Sequence, residues 1–190
     1  SAILPRRNSL IRPPLSNLDL LVIVCASAAP APATETIDKL LSVAEYHGIE
    51  AAVVIGKSEL APEVAEKLKK TYTSALYPTF TLSCYEGEGI AEFSEYIKKT
   101  LPGKVAAFAG ASGVGKSTLI NAVFPEMKLE AGEISRKIAR GKHTTRHVEL
   151  FETEDGTDTF ELFSALGADA NAYTSTDRTA YLFSCTENFY

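Results

Sequence analysis

The sequence predicts an α/β fold in which a parallel sheet carries helices on both faces. Three observations predict it. Short apolar runs alternate with helix-length segments four times between residues 19 and 124. Parallel strands need such crossover segments, and antiparallel neighbours do not. The runs themselves are almost wholly apolar, as in strands covered on both sides. The fourth run enters a glycine-rich turn, GASGVGKST at residues 110–118, which leads straight into a helical pattern.

Each element has its own warrant. Residues 19–26 (DLLVIVCA) form the first buried strand. Residues 34–47 follow as a helix that Thr34 or Thr36 can cap and Gly48 ends. Residues 51–55 are the second strand. The second helix, 62–72, has Pro62 in its first turn, where a missing N–H costs nothing. Residues 76–83 are the third strand, 89–101 the third helix and 105–109 the fourth strand. Beyond Lys116, Leu119, Ile120, Val123 and Phe124 recur at helical spacing. Further on, 158–166 reads as a helix, and 171–174 with 179–184 as a hairpin around a Ser-Thr-Asp turn.

Composition bounds the rest. The chain has 190 residues, 45% hydrophobic and 23% charged, as in a globular protein. No apolar run reaches membrane-spanning length. Cys25, Cys84 and Cys185 are odd in number and far apart, which points to a reducing compartment rather than a disulfide framework or a cysteine zinc site. The only methionine is Met127 and the chain opens with Ser1, so it reads as part of a longer gene product. Charge is uneven: residues 151–190 hold eight acidic residues and a single basic one, Arg178. That break suggests two origins, or a basic body with an acidic tail.

The turn at 110–118 carries the clearest chemistry. Gly110, Gly115, Lys116 and Ser117 satisfy G-x-x-x-x-G-K-[ST]. A triphosphate packs negative charge into a small volume. Glycines let the backbone curl so that the N–H groups of Ala111, Ser112, Gly113, Val114 and their neighbours through Thr118 point inward. Lys116 bridges the terminal phosphates, Ser117 offers its hydroxyl to Mg²⁺, and the helix adds its positive end.

In parallel sheets, ligands bind at the carboxyl ends of the strands. The turns after strands two, three and four should therefore share one pocket. After strand two comes Gly56-Lys57-Ser58-Glu59. The Glu59 carboxylate can accept two hydrogen bonds from the ring N–H and amino group of guanine, while the Lys57 stem lies along the base. Adenine offers no such donor pair. After strand three come Ser83 and Cys84, where a backbone N–H can reach the guanine oxygen. Later, GKHTTRH at 141–147 reads as a switch segment in which Thr145, slightly favoured over Thr144, joins Mg²⁺. The alternative is a threonine-rich strand entrance.

Taken in order, ILPRRNSLIRPPLSN, DLLVIVCA, the base-reading turn, GEGI, GASGVGKSTLINAVFP, GEIS and GKHTTRHVELF resemble the circularly permuted GTPases that assist small ribosomal subunit assembly, the RsgA (YjeQ) family, over about residues 3–151. The resemblance implies a P-loop GTPase-like sheet, permuted so that the base-reading turns precede the phosphate loop. It implies GTP and GDP as ligands with Mg²⁺, and slow hydrolysis with Lys116, Thr145 and His143 as the candidate catalytic residues. It implies the small ribosomal subunit and its rRNA as partners, neither DNA nor a membrane, and a cytoplasmic setting. It also assigns 1–17 as a connector from an OB-type domain, 18–151 as the GTPase domain and 152–190 as a tail. Zinc belongs only to a further cysteine/histidine domain of that family.

Two departures matter. The family's turn is Asn-Lys-x-Asp, and here Gly56 and Glu59 replace its ends. The family also continues into a strand and Asp-Thr-Pro-Gly, but no D-x-P-G or D-x-x-G occurs in 152–190. The sheet is then expected to be incomplete and the chain a poor hydrolase. The tail instead resembles the amino-terminal domain of pitrilysin/insulinase-type zinc peptidases, just past their H-x-x-E-H helix. Its nearest counterpart here, His143 to His147, has Arg146 where the base belongs, and arginine accepts no proton at neutral pH. No zinc site is expected, and a junction of two coding fragments near residue 151 is.

Overall fold

The computed structural model describes residues 17–102 and 104–125, and beyond them the backbone of five short strands between 146 and 184. The strands are β1 (Leu20–Ala26), β2 (Glu50–Gly56), β3 (Thr79–Thr81), β4 (Ala106–Ala109), β5 (Arg146–Val148), β6 (Leu150–Glu152), β7 (Thr159–Leu162), β8 (Asp169–Thr174) and β9 (Thr179–Ser184). The α-helices are α1 (Thr34–Tyr46), α2 (Pro62–Ser74), α3 (Ile90–Thr100) and α4 (Lys116–Val123). One sheet has the order β3-β2-β1-β4-β7-β6, and β5-β9-β8 form another. β1, β2, β3, β4 and β7 run parallel, and β6 is antiparallel to β7.

Period-two alternation sorts the side chains of the first four strands between two cores. Leu21, Ile23, Val53, Ile55 and Ala107 face Ile37 and Leu41 of α1 and Leu68 and Tyr72 of α2. Leu20, Val22, Val54 and Phe108 face Phe93 and Ile97 of α3 and Leu119 and Ile120 of α4. Every residue of β1 is buried, because it lies between β2 and β4 and under helices on both sides. This is the doubly covered parallel sheet that the apolar runs imply.

The two helices on the first face are tied by a polar contact. The buried Tyr72 donates its hydroxyl to Asp38 Oδ1 at 3.1 Å, and burial together with that carboxylate raises the phenol's pKa. Tyr72→Phe keeps the ring and removes this bond. It should lower stability by about 1 kcal/mol, read from the urea midpoint. An unchanged midpoint would show that the contact contributes nothing.

Several boundaries shift for local reasons. No side chain caps α1: Ala33 holds the cap position, and its carbonyl accepts from Thr36 and Ile37 N–H. The helix begins at Thr34, so both threonine hydroxyls already lie inside it. Gly48 follows the helix with φ +64°, the left-handed stop the sequence implies. α2 opens on Pro62 as expected but runs on to Ser74. β3 is shorter than 76–83. Leu76 is exposed at φ +68° in the turn closing α2, and Pro78 has no N–H to donate.

The helix expected over 158–166 is not formed where the chain is described: residues 159–162 are β7, paired with both β4 and β6. Thr-Phe-Glu-Leu alternates with period two, and the open edge of β4 offers it a ladder. A short segment with little intrinsic helix preference yields to that pairing. The expected hairpin does form, as β8 and β9, with Thr174 opposite Thr179.

Candidate phosphate- and base-binding site

The site lies at the carboxyl ends of β1, β2 and β4. β4 stops at Ala109 because the chain must turn tightly. An ideal Cβ on Gly110 would fall 2.1 Å from the Val24 carbonyl oxygen, so only glycine lets the loop leave the sheet here. Gly113 at φ +81° and Gly115 at φ +101° complete the curl, and α4 starts at Lys116. Lys116 is a lysine of only 8% exposure, which requires partners. Its Nζ donates to the carbonyls of Gly110 at 2.8 Å and Ala111 at 3.0 Å. The ammonium is thus stationed across the loop. Ala111, Gly115 and Ser117 are half-buried at its rim, while Ser112, Gly113 and Thr118 are exposed and Val114 is buried beneath.

The turn after β2 reaches this loop. Lys57 sits in the left-handed region (φ +56°, ψ +36°), uncommon outside glycine and asparagine. Its Nζ donates to Gly113 O at 2.8 Å and to Ala29 O. Its carbonyl accepts from Ser27 Oγ at 2.6 Å. A single 3₁₀ turn, Ser58–Leu60, then carries Glu59, whose Oε2 is shielded from solvent and has no hydrogen-bond partner. A carboxylate oxygen buried in this way awaits a donor.

The turn after β3 closes the third side. Ser58 N–H donates to Leu82 O, and Leu82 N–H to Ile55 O. Ser83 is fully buried, and its hydroxyl accepts from Glu86 N–H at 3.1 Å. Gly89 must be glycine: it has φ +73°, and a Cβ would lie 2.2 Å from Thr81 O. Cys84 is half-buried next to Glu59. Burial first, then that carboxylate, pushes its thiol up from the ordinary range. Cys25 beneath the site is pushed up to about 12 by burial, so it is an inert packing thiol.

Of the three turns expected to meet, the one after β2 touches both others, the phosphate loop through Lys57 and Gly113 and the turn after β3 through Ser58 and Leu82. Gly56 fits the same picture. A Cβ there would have ordinary contacts, 3.6 Å from both Cys25 O and Val114 O, so glycine is not sterically required. Thr144, Thr145 and His143 lie outside the described residues; of the H-x-x-R-H stretch only Arg146 and His147 fall within β5. Sequence reasoning missed the fourth contributor, the turn after β1. Ser27 and the Ala29 carbonyl clasp Lys57, and the only signal was a serine placed directly after an apolar strand. Among the described residues, no group of three or more His, Cys, Asp or Glu could hold a metal, and no helix is long and apolar enough to cross a membrane.

Comparison with known proteins agrees with this geometry. The model of the RsgA GTPase family matches residues 3–160. The "small ribosomal subunit biogenesis GTPase RsgA" of Agathobacter rectalis is 43% identical over 156 residues, covering 82% of this chain and 50% of that protein. The crystal structure of YjeQ from Thermotoga maritima superposes with a TM-score of 0.61 at 33% identity, covering 85% of this chain and 52% of the other. YloQ, described as a circularly permuted GTPase, gives 0.58 at 28% identity, with 83% and 49% covered. The chain spans about half the length of the curated relatives it matches. A family match that spans residues 3–160, most of the chain, settles its kinship: the chain belongs to the RsgA GTPase family.

Proposed function

We propose that this chain is the nucleotide-binding part of a GTPase that assists assembly of the small ribosomal subunit. The observation that carries the reading is the pairing of two half-sites. A glycine-rich loop with an internal ammonium group faces a turn whose Glu59 Oε2 is buried and unpartnered. The first suits the phosphates and the second suits the ring N–H and amino donors of guanine. The backbone N–H groups from Ala111 to Thr118 cradle the phosphates, and Lys116 offsets their charge. The Lys57 stem lies along the base, and Cys84 N–H meets its oxygen. Ser117 would hold Mg²⁺, with Thr145 joining it. When bound, that cation neutralises charge developing on the terminal phosphate.

In the intact family GTP is cleaved to GDP and phosphate. Without a D-x-P-G segment in 152–190, this chain binds nucleotide but turns it over poorly. The small subunit and its rRNA are the proposed partners, and the cytoplasm the setting, by kinship with proteins named for that work. A zinc-binding domain, where the family has one, belongs outside this chain. The junction expected near residue 151 lies inside the family match, which runs to residue 160, so a chimeric tail would have to begin beyond it. Such a tail would be a peptidase remnant without its H-x-x-E-H site and would leave the nucleotide site unaltered.

Fluorescence titration with labelled GTP and ATP in Mg²⁺ tests the reading. GTP should bind about tenfold or more tightly than ATP, the worth of one charged hydrogen-bond pair, and Glu59→Gln should bring the two towards parity. Equal affinities in the native chain would remove the guanine assignment, and no binding of either would remove the function.

A further inference from the structure

Ser27 is only 2% exposed, and both of its donors serve the base-reading turn. Its N–H donates to Gly56 O at 2.9 Å and its hydroxyl to Lys57 O at 2.6 Å. We propose that Ser27 is a positioning residue for Glu59, and through it a determinant of which base the site selects. This rests on the guanine-binding reading and adds to it the group that aims the carboxylate.

The ladder between β1 and β2 ends with Ala26 opposite Gly56. The bond from Ser27 N–H to Gly56 O extends it by one step, which any residue but proline could do. The next carbonyl, Lys57 O, is reached by the side chain of Ser27 instead. That carbonyl bears directly on Glu59. It also accepts from Leu60 N–H at 3.0 Å, the bond that closes the single 3₁₀ turn carrying Glu59. The Lys57 carbonyl and the Ser58 N–H belong to one planar peptide and point in opposite directions. Ser58 N–H donates to Leu82 O at 3.2 Å. The peptide is therefore pinned at one end by Ser27 and at the other by the chain leaving β3. Glu59 stands one residue beyond it.

The backbone here has freedom to lose. Gly56 precedes the peptide and carries no side chain to confine it. Lys57 lies in the left-handed region, which a non-glycine residue keeps where surrounding contacts over-determine it. Ser27 supplies two of those contacts, and its burial leaves water little access to replace the hydroxyl. Glu59 Oε2 has no hydrogen-bond partner, so its aim is set by the backbone beneath it. Accepting from two donors on one ring edge tolerates misplacement of only about 0.5 Å. A serine behind the turn can thus govern base choice without touching the base.

The test is a double-mutant cycle on the whole chain, read as GTP and ATP affinity by fluorescence titration in Mg²⁺. Ser27→Ala should weaken GTP about fivefold, the worth of one neutral hydrogen bond, and leave ATP within about twofold. In a Glu59→Gln chain, Ser27→Ala should have no further effect on GTP, because the group it aims is already gone. Ser27→Cys, close in shape but a weak donor, should repeat the result and serves if the alanine variant does not fold. A GTP loss matched by ATP, or one that persists in Glu59→Gln, would show a merely structural role and overturn the proposal. Native discrimination in both Ser27 variants would overturn it as well, while leaving the guanine reading intact. A native chain that binds GTP and ATP equally instead removes the guanine reading, and the proposal with it.

Discussion

Gly110→Ala should cost the chain about 3 kcal/mol or more of stability and abolish measurable nucleotide binding. The added methyl would sit 2.1 Å from the Val24 carbonyl oxygen, a backbone atom of the most buried strand. No rotamer relieves that overlap, so either β1 or the loop must move. Movement of β1 disturbs its pairing with both β2 and β4. Movement of the loop displaces the Gly110 and Ala111 carbonyls that hold the Lys116 ammonium. Urea unfolding and GTP titration together distinguish these routes. A variant with native midpoint and native affinity would show that the close approach of loop to strand is not real.

Lys116→Ala should leave the fold in place and, on the proposed reading that its ammonium group binds the phosphates, reduce GTP affinity about 100-fold or more. The side chain is nearly inaccessible, and its two partners are loop carbonyls. Removing it deprives those carbonyls of a donor, so a modest fall in stability accompanies the loss of binding. The two effects separate by experiment: unfolding midpoints report the carbonyls, and titration reports the phosphates. GTP affinity unchanged in Lys116→Ala would mean that the phosphates bind elsewhere.

The first four strands and their helices were legible because each is specified twice. β1 is an apolar run, and its alternate residues also match the faces of helices that precede and follow other strands. The phosphate loop was legible because its glycines and lysine answer to one another at fixed spacing. The misreadings arose where a distant partner decides the outcome. Residues 159–162 become a strand only because β4 has a free edge, which nothing local announces. Leu76 looks like the start of a strand but closes a helix, since its backbone sign is set by the turn and not by its hydrophobicity. Ser27 and Ala29 escaped notice because one contributes a hydroxyl at a generic position and the other a carbonyl, a group every residue has.

The order of the strands also sets a timetable for synthesis. β1, at the centre of the finished sheet, leaves the ribosome early, and its partner on one side, β2, follows closely. Its partner on the other side is β4, and the Asp19 carboxylate that anchors that junction waits 86 residues for the Val105 N–H. Until then the nascent chain displays a fully apolar, unpaired ladder, the kind of edge on which polypeptides misassemble. A chain of this design makes β1, β2 and β3 before the β4 that covers them, so stalled or shortened translation products should be more prone to clump than the completed molecule.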